Sequence, residues 1–415
     1  MYRIFYDLFL ALYSLIARAL SPFSVKAKKW VEGRKYIWDS LKRLPADKKR
    51  IWFHCASLGE YEQALPLIEK LQKDAEILLT FFSPSGYEIV KKKNPGALVF
   101  YLPHDSKSSA KRFLDAVQPA LAVFVRYDLW YYYLCGLKER DIPSILISAV
   151  FGKNDIFFRW YGGLFRQMLG CFTHLFVQDE PSRKVLKENG VGSVTVAGNT
   201  RVDRVIAIRE QARQFPVIER FKDSRRIFIF GSLEPNDEPV ALPIANDAFM
   251  REHFNILIAP HLVSGEYILR LKTKISGKVA LYSEAESQDN PESEVLIIDS
   301  IGMLSTLYRY ADLAYIGGGF GEGLHNVLEP AVWGVPIFFG PRIHKFPEAV
   351  ELAERKGAFK VRNAKDFKRR IQWMIADHSF LAASQNACSR YIREKQGGTE
   401  KIFRWLQERQ SWKKV

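Results

Sequence analysis

The sequence predicts an α/β chain of two similar-sized halves facing each other across a cleft, and three observations carry that prediction. Short apolar runs rich in β-branched and aromatic residues alternate with stretches of helical period, the pattern of parallel sheets wrapped by helices. The runs fall into two series, and the segment between them, 201–226, is charged and helix-like without strand signals. At 415 residues, with 47% apolar and 13% aromatic side chains, the chain is too hydrophobic for disorder and long enough for two domains.

The first element is an N-terminal helix. Residues 2–20 are mostly apolar but include Arg3, Asp7 and Arg18, and the longest uncharged run, 8–17, falls short of the roughly 20 residues a bilayer span requires. Ser21-Pro22-Phe23 is a poor signal-cleavage site, so an uncleaved, half-inserted helix is expected, held at an anionic leaflet by Lys26, Lys28, Lys29, Arg34 and Lys35. The alternative is an amphipathic helix docked on the first domain. Strands are expected at 51–53, 77–81, 98–101, 120–125, 144–147, 175–178 and 194–197, then at 227–230, 256–259, 279–281, 295–298, 313–316 and 336–339. From Asp366 onward the pattern is helical, with a last helix carrying Trp405 and Trp412 that packs back on the first half. The expected domains are an anchor with its basic flank at 1–30, a first α/β domain at 31–205 and a second at 206–415.

The 61 Lys and Arg outnumber the 46 Asp and Glu, a net +15 that favours anionic partners, either membrane headgroups or nucleic acid. Cys55, Cys135, Cys171 and Cys388 have no C-x-x-C spacing, which argues against a zinc site or a disulfide framework and for a reducing, cytoplasmic compartment.

Four strings can carry chemistry. The first, 52–60, is a strand end followed by a Gly turn and a helix, and places the Glu60 carboxylate where a general base could reach a substrate hydroxyl. Ser57-x-x-Glu60 is equally a capping box, and His54 equally a satisfied strand-end histidine. The second, Ser83-Pro84-Ser85-Gly86, opens a helix whose free amides could take a phosphate, or is ordinary cap chemistry. Asp105 reads as a helix cap. In the third, 125–133, Asp128 sits at a strand end beside a dense aromatic cluster that includes Trp130 and could bind a sugar or lipid headgroup or simply pack, and Arg201, in Gly198-Asn199-Thr200-Arg201-Val202-Asp203, closes the first half where it could stabilise departing phosphate charge or be a solvated surface arginine. The fourth is a glycine-rich loop, 317–323, with His325, Asn326 and Glu329 after it; a helix starting at Asn326 would aim its amides at phosphate, and Glu329 could accept from ribose hydroxyls. It lacks the G-K-[ST] of a Walker A loop, and no Mg²⁺ motif is apparent.

Taken in order, the N-terminal apolar helix, the W-x-H-x-x-S-x-G-E string ending at Glu60, the F-S-P-S-G string, G-N-x-x-x-D at 198–203 and H-N-x-L-E-P-A at 325–331 resemble one family. It is the 3-deoxy-D-manno-octulosonic acid (Kdo) transferases of Gram-negative lipopolysaccharide synthesis, and the resemblance covers nearly the whole chain. It implies a GT-B architecture of two facing Rossmann-like domains and inverting transfer of Kdo from CMP-Kdo to a lipid A precursor (lipid IVA), without metal or other cofactor, on the cytoplasmic side of the cell inner membrane. The implied partners are CMP-Kdo, the lipid A precursor and the anionic membrane surface, and no nucleic acid. Glu60 matches the family's general base; Asp128 and Arg201 stand where the family has a Glu and a Lys that support the transition state. The donor side maps to Ser232, Glu234, Pro260, His261, Ile301, Gly302, Met303, His325, Asn326, Val327, Leu328 and Glu329. The acceptor side maps to Ser57, Gly59, Ser83, Ser85 and Gly86. The chain departs from the pattern at His261, where many relatives have Arg, and at Leu324, where Gly is common. Two rival readings are another GT-B enzyme, such as a UDP-sugar transferase or an epimerase, and a non-enzymatic membrane-attached module that binds polyanions with steep salt dependence.

Overall fold

The computed structural model describes residues 2–45, 47–93, 96–286, 293–321 and 323–409. They divide into two units: residues up to Arg204 together with those from Gln396 onward, and Val205–Lys395.

The first unit is built on seven parallel strands: β1 (Arg50–Cys55), β2 (Glu76–Phe81), β3 (Leu98–Tyr101), β4 (Pro119–Val125), β5 (Ser144–Ala149), β6 (His174–Val177) and β7 (Val194–Val196). Their order is β3-β2-β1-β4-β5-β6-β7. Because helices cover both faces, successive side chains of one strand enter opposite cores. Trp52 packs with Leu78, Phe113, Phe124 and Tyr133 on one face. Ile51 and Phe53 pack with Leu79 and Val123 on the other. The charged start of β1 is tolerated because Arg50, 1% exposed, pairs with Glu76 at 2.8 Å and bonds the carbonyls of Val117 and Pro45.

The second unit repeats the plan with β8 (Arg226–Leu233), β9 (Phe254–Pro260), β10 (Val279–Leu281), β11 (Val295–Ile297), β12 (Leu313–Ile316), β13 (Ile337–Phe339) and β14 (Ala358–Lys360), ordered β10-β11-β9-β8-β12-β13-β14. Phe228, Phe230, Tyr315, Phe338 and Phe367 form the centre of its core. In both sheets the chain leaves the first strand in one direction and later returns to its other side, so the switch points lie between β1 and β4 and between β8 and β12. Ligand sites of open α/β sheets lie at such points, beyond the strand C-termini.

Three expectations require correction. The edge strand β14 was not foreseen, because Ala-Phe-Lys after Gly357 is too short and too exposed to register as an apolar run. The last helix, Gly398–Arg409, belongs to the first unit and not to a 206–415 domain. Its Ile402 and Leu406 enter the core beside Ile51 and Phe53, and Trp405 lies edge-on to Phe176 at 5.4 Å. Trp412 lies outside the described residues. The helix expected to begin at Asn326 is a single turn, Leu328–Ala331, with the Asn326 side-chain oxygen accepting the Leu328 amide at its start.

The N-terminal helix Tyr2–Leu20 is docked at one side and bare at the other. Leu10 is buried, while Ile4, Phe5, Leu8, Phe9 and Leu15 are all at least 63% exposed. No single described helix is long and apolar enough to cross a membrane; this helix and the segment Val25–Lys42 reach that length only as a pair bent by 118°.

Candidate active site

In the first unit, three separate strings converge at the β1/β4 switch point. The chain leaves β1 through Ala56 and Ser57 into the helix Leu58–Leu71. Ser57 and Glu60 form the capping box: the Ser57 amide donates to Glu60 Oε2 at 3.0 Å, and the Ser57 hydroxyl meets the same oxygen. Oε1 of Glu60 bonds to no described residue, so the cap occupies one oxygen and leaves the other for chemistry. The two sequence readings of Glu60 are therefore compatible.

Arg201 lies beside this turn, its Nη2 donating to the Gly59 carbonyl at 3.2 Å. Asn199 anchors it, accepting from the Arg201 amide and from Gln63 Nε2, both at 3.0 Å. Asp203, the last residue of the same string, points away from this turn. Its carboxylate accepts the amides of Gly397 at 2.7 Å and Thr399 at 2.6 Å, and so holds the C-terminal helix to this unit.

Asp128 follows β4 through a turn in which Arg126 takes a left-handed conformation (φ 62°) while keeping its ladder bond to Ile147. Its Oδ2 lies 2.5 Å from His54 Nε2 and 3.2 Å from the indole nitrogen of Trp130. His54 is fully buried, and its Nδ1 is 2.8 Å from Thr80 Oγ1. Thr80 was missed in the sequence, where the available signal was one hydroxyl within the run Glu76–Phe81; Trp130 was read only as a member of the aromatic cluster beside Asp128.

Two of the serines expected on the acceptor side lie at the surface, with Ser83 Oγ and Ser85 Oγ 2.8 Å apart at the start of the helix Pro84–Lys93. Gly86 packs where a Cβ would come within 2.6 Å of the Phe81 ring. Next to Ser83 an apolar cavity of about 290 Å³ is lined by Tyr13, Ile16, Leu20, Trp30 and Phe82. One sequence assignment changes here and another becomes specific. Arg34 is no surface cation: it stacks on Trp30 at 4.1 Å and donates to the Leu102 and Phe82 carbonyls, and burial lowers its pKa to about 10. Asp105 does not cap the helix that follows it, which Ser106 caps; its carboxylate accepts the amides of Tyr132 and Tyr133, in the first turn of the helix Tyr131–Glu139, and the Tyr6 hydroxyl at 2.5 Å.

In the second unit the β8/β12 switch point gathers Ser232, Glu234, His325 and the glycine loop. Ser232 is left-handed (φ 51°) and turns the end of β8. His325 Nε2 lies 2.9 Å from Glu234 Oε1, and the His261 ring stacks on it at 4.3 Å, just beyond Pro260 at the end of β9. Burial and the neighbouring His325 lower the His261 pKa. The loop is pinned from below by Asp237, another residue missed in the sequence. Asp237 is fully buried and accepts from the Gly318 amide and the Tyr315 hydroxyl, both at 2.8 Å. Gly318 has φ 88°, and a Cβ there would stand 2.1 Å from the Gly323 carbonyl, so only glycine fits. Asn326 Nδ2 donates to Glu329 Oε1 at 3.1 Å, with Val327 and Leu328 buried beneath. Ile301, Gly302 and Met303 form the turn after β11, with Ile301 85% exposed. Among the described residues, Glu234, His261 and His325 are the one set of potential metal ligands, with ligand atoms within 4.8 Å of one another.

The family model described as 3-deoxy-D-manno-octulosonic-acid transferase (kdotransferase) matches residues 31–204. The Kdo transferase of Chlamydia muridarum (strain MoPn / Nigg) is 30% identical over 324 residues, covering 74% of this chain and 73% of that one. The chain belongs to the Kdo transferase family. It is thus a glycosyltransferase of lipopolysaccharide synthesis. The family member from Aquifex aeolicus (strain VF5) is 26% identical over 338 residues, covering 79% of this chain and 87% of that one. Among solved structures, the UDP-GlcNAc 2-epimerase of Neisseria meningitidis bound to UDP-GlcNAc is similar with a TM-score of 0.61 at 15% identity, covering 86% of this chain and 100% of that one. MurG of Acinetobacter baumannii is similar at 0.57 and 14%, covering 87% and 99%. At such identities these structures show the shared GT-B type of fold and nothing of the substrate.

Proposed function

We propose that this Kdo transferase takes its sugar from CMP-Kdo and delivers it to a lipid A precursor, lipid IVA, at the cytoplasmic side of the inner membrane. The observation that carries the reading is the Glu60 carboxylate, held at the β1 edge by one oxygen with the other unbonded among the described residues, in a chain of this family. In the proposed step Oε1 takes the proton of an acceptor hydroxyl as that oxygen attacks the anomeric carbon of Kdo. The carbon–oxygen bond to phosphate breaks, its electron pair leaves with CMP, and the configuration inverts. Arg201 offsets charge on the departing phosphate, and Asp128 supports the transition state from the β4 side. On the donor side we assign CMP-Kdo to the Glu234–His325 turn, Ser232, Pro260, His261, 301–303 and Asn326 through Glu329.

An acylated acceptor stays in the bilayer, so the enzyme must meet it there. The bare apolar face of the N-terminal helix supports a helix lying in the interface, and the net +15 suits an anionic leaflet and two anionic substrates. The apolar cavity beside Ser83 is suited to acyl carbon.

The test is transfer of radiolabelled Kdo, from CMP-Kdo generated in situ, to tetraacylated lipid A precursor in detergent, with UDP-sugars as parallel donors. Kdo-bearing lipid from CMP-Kdo alone is the expected result; turnover of a UDP-sugar in its place would overturn the donor assignment. Flotation with anionic vesicles, and its loss when Ile4, Phe5 and Leu8 become serine, tests the membrane assignment.

A further inference from the structure

His54 is a fully buried, polar residue at the end of β1, and the step just proposed does not use it. The register pairs Trp52 with Leu78 and His54 with Thr80, so Trp52, His54 and Thr80 share one face of the sheet. The direction of every hydrogen bond among them follows from which atoms can donate. The indole N–H of Trp52 can only donate, and it reaches Thr80 Oγ1 at 2.7 Å. Thr80's own proton then has two acceptors, His54 Nδ1 at 2.8 Å and the Phe53 carbonyl at 3.5 Å, and the shorter contact takes it. Nδ1 is thereby an acceptor, and the neutral imidazole keeps its proton on Nε2, facing Asp128 Oδ2. The Trp130 nitrogen is 2.9 Å from His54 Nε2 and 3.2 Å from Asp128 Oδ2. With Nε2 protonated, its N–H goes to the carboxylate. Oδ2 thus receives two N–H donors, and Oδ1 bonds to no described residue.

We infer that His54 is a positioning residue of the Kdo-transfer site: Trp52 and Thr80 fix its tautomer, and His54 with Trp130 locks one oxygen of Asp128 so that the other stays available to substrate. The inference rests on the reading that Asp128 supports the transition state. A buried chain of polar groups is costly unless each member is satisfied, and with a neutral imidazole this direction gives every member a partner. Without His54 the carboxylate keeps a single indole donor and is free to rotate. Misplacement of a reacting group by about 1 Å costs on the order of 10²-fold in rate.

The experiment measures kcat and donor KM for wild type, His54→Leu, His54→Gln, Asp128→Asn and the combination of His54→Leu with Asp128→Asn, each checked for folding by circular dichroism and melting. His54→Leu is expected to lower kcat by roughly 10- to 100-fold with donor KM within about threefold, by the misplacement argument. His54→Gln, whose amide can donate near the position of Nε2, is expected to recover most of the loss. The combined variant is expected to be no slower than Asp128→Asn alone, because His54 acts only through that carboxylate. A purely structural role would multiply the two losses, and multiplied losses overturn the inference, as does wild-type kcat in well-folded His54→Leu. Full activity of Asp128→Asn would instead overturn the Asp128 assignment, and the role of His54 with it. Should His54→Leu not fold, Thr80→Val decides the matter: it must slow the wild type and leave Asp128→Asn unchanged.

Discussion

Replacing Glu60 separates the helix cap that this side chain makes from the general base proposed for it. Glu60→Ala removes the acceptor of the Ser57 amide and the charge at the first turn of the helix Leu58–Leu71. Loss of such a cap costs about 1 kcal/mol, and loss of the charge–dipole term a few tenths more. For a unit of some 200 residues that corresponds to roughly 2–6 °C in melting temperature. Glu60→Gln keeps a carbonyl oxygen for the Ser57 amide and loses only the charge, so its melting temperature is expected within about 2 °C of wild type. Neither variant can take a proton, and kcat should fall by about 10²–10⁴ in both. The assay pairs scanning calorimetry with turnover of CMP-Kdo and lipid A precursor at saturating donor, with CMP binding as the control for the donor side. Full turnover in Glu60→Gln would refute the base; an unchanged melting temperature in Glu60→Ala would refute the cap. Alanine and glutamine should therefore differ in stability and agree in activity.

Other consequences concern the supports of the site. Burial pushes the Asp105 carboxyl up to about 6 from an ordinary value of 3.8, so the folded chain holds this proton more tightly than the unfolded one. Its contribution to stability is full below about 3.8 and is lost as pH rises through about 6; in Asp105→Asn, thermal melts across that window should lose this part of their pH dependence. Tyr6→Phe deletes the bond that ties the N-terminal helix to Asp105 and should speed amide exchange in residues 2–20 while leaving the sheets protected. Asp203→Ala strands the Gly397 and Thr399 amides, and limited proteolysis should then release the C-terminal helix first. Gly318→Ala forces both a clash with the Gly323 carbonyl and a left-handed alanine, and should destabilise the second unit by more than about 2 kcal/mol in urea titration.

Much of the molecule was legible before folding. Strands buried on both faces read as unbroken apolar runs, which is why thirteen of the fourteen appear in the sequence, and Ala358–Lys360, half exposed at a sheet edge, does not. The candidate site residues were also readable, because strings such as 52–60 and 317–329 place polar and glycine residues at strand ends, where a local pattern suffices. What tertiary structure alone decided are the bonds between distant strings. Asp105 caps a helix 26 residues downstream, Arg34 is swallowed by aromatic rings, and Asp203 recruits a helix from the far end of the chain. Above all, whether Glu60 was a cap or a base looked like a choice from the sequence, and only the geometry separated its two oxygens. His54, Thr80 and Asp128 stand on three different strand ends, and their meeting is set by sheet order and register, quantities that no local pattern of residues encodes.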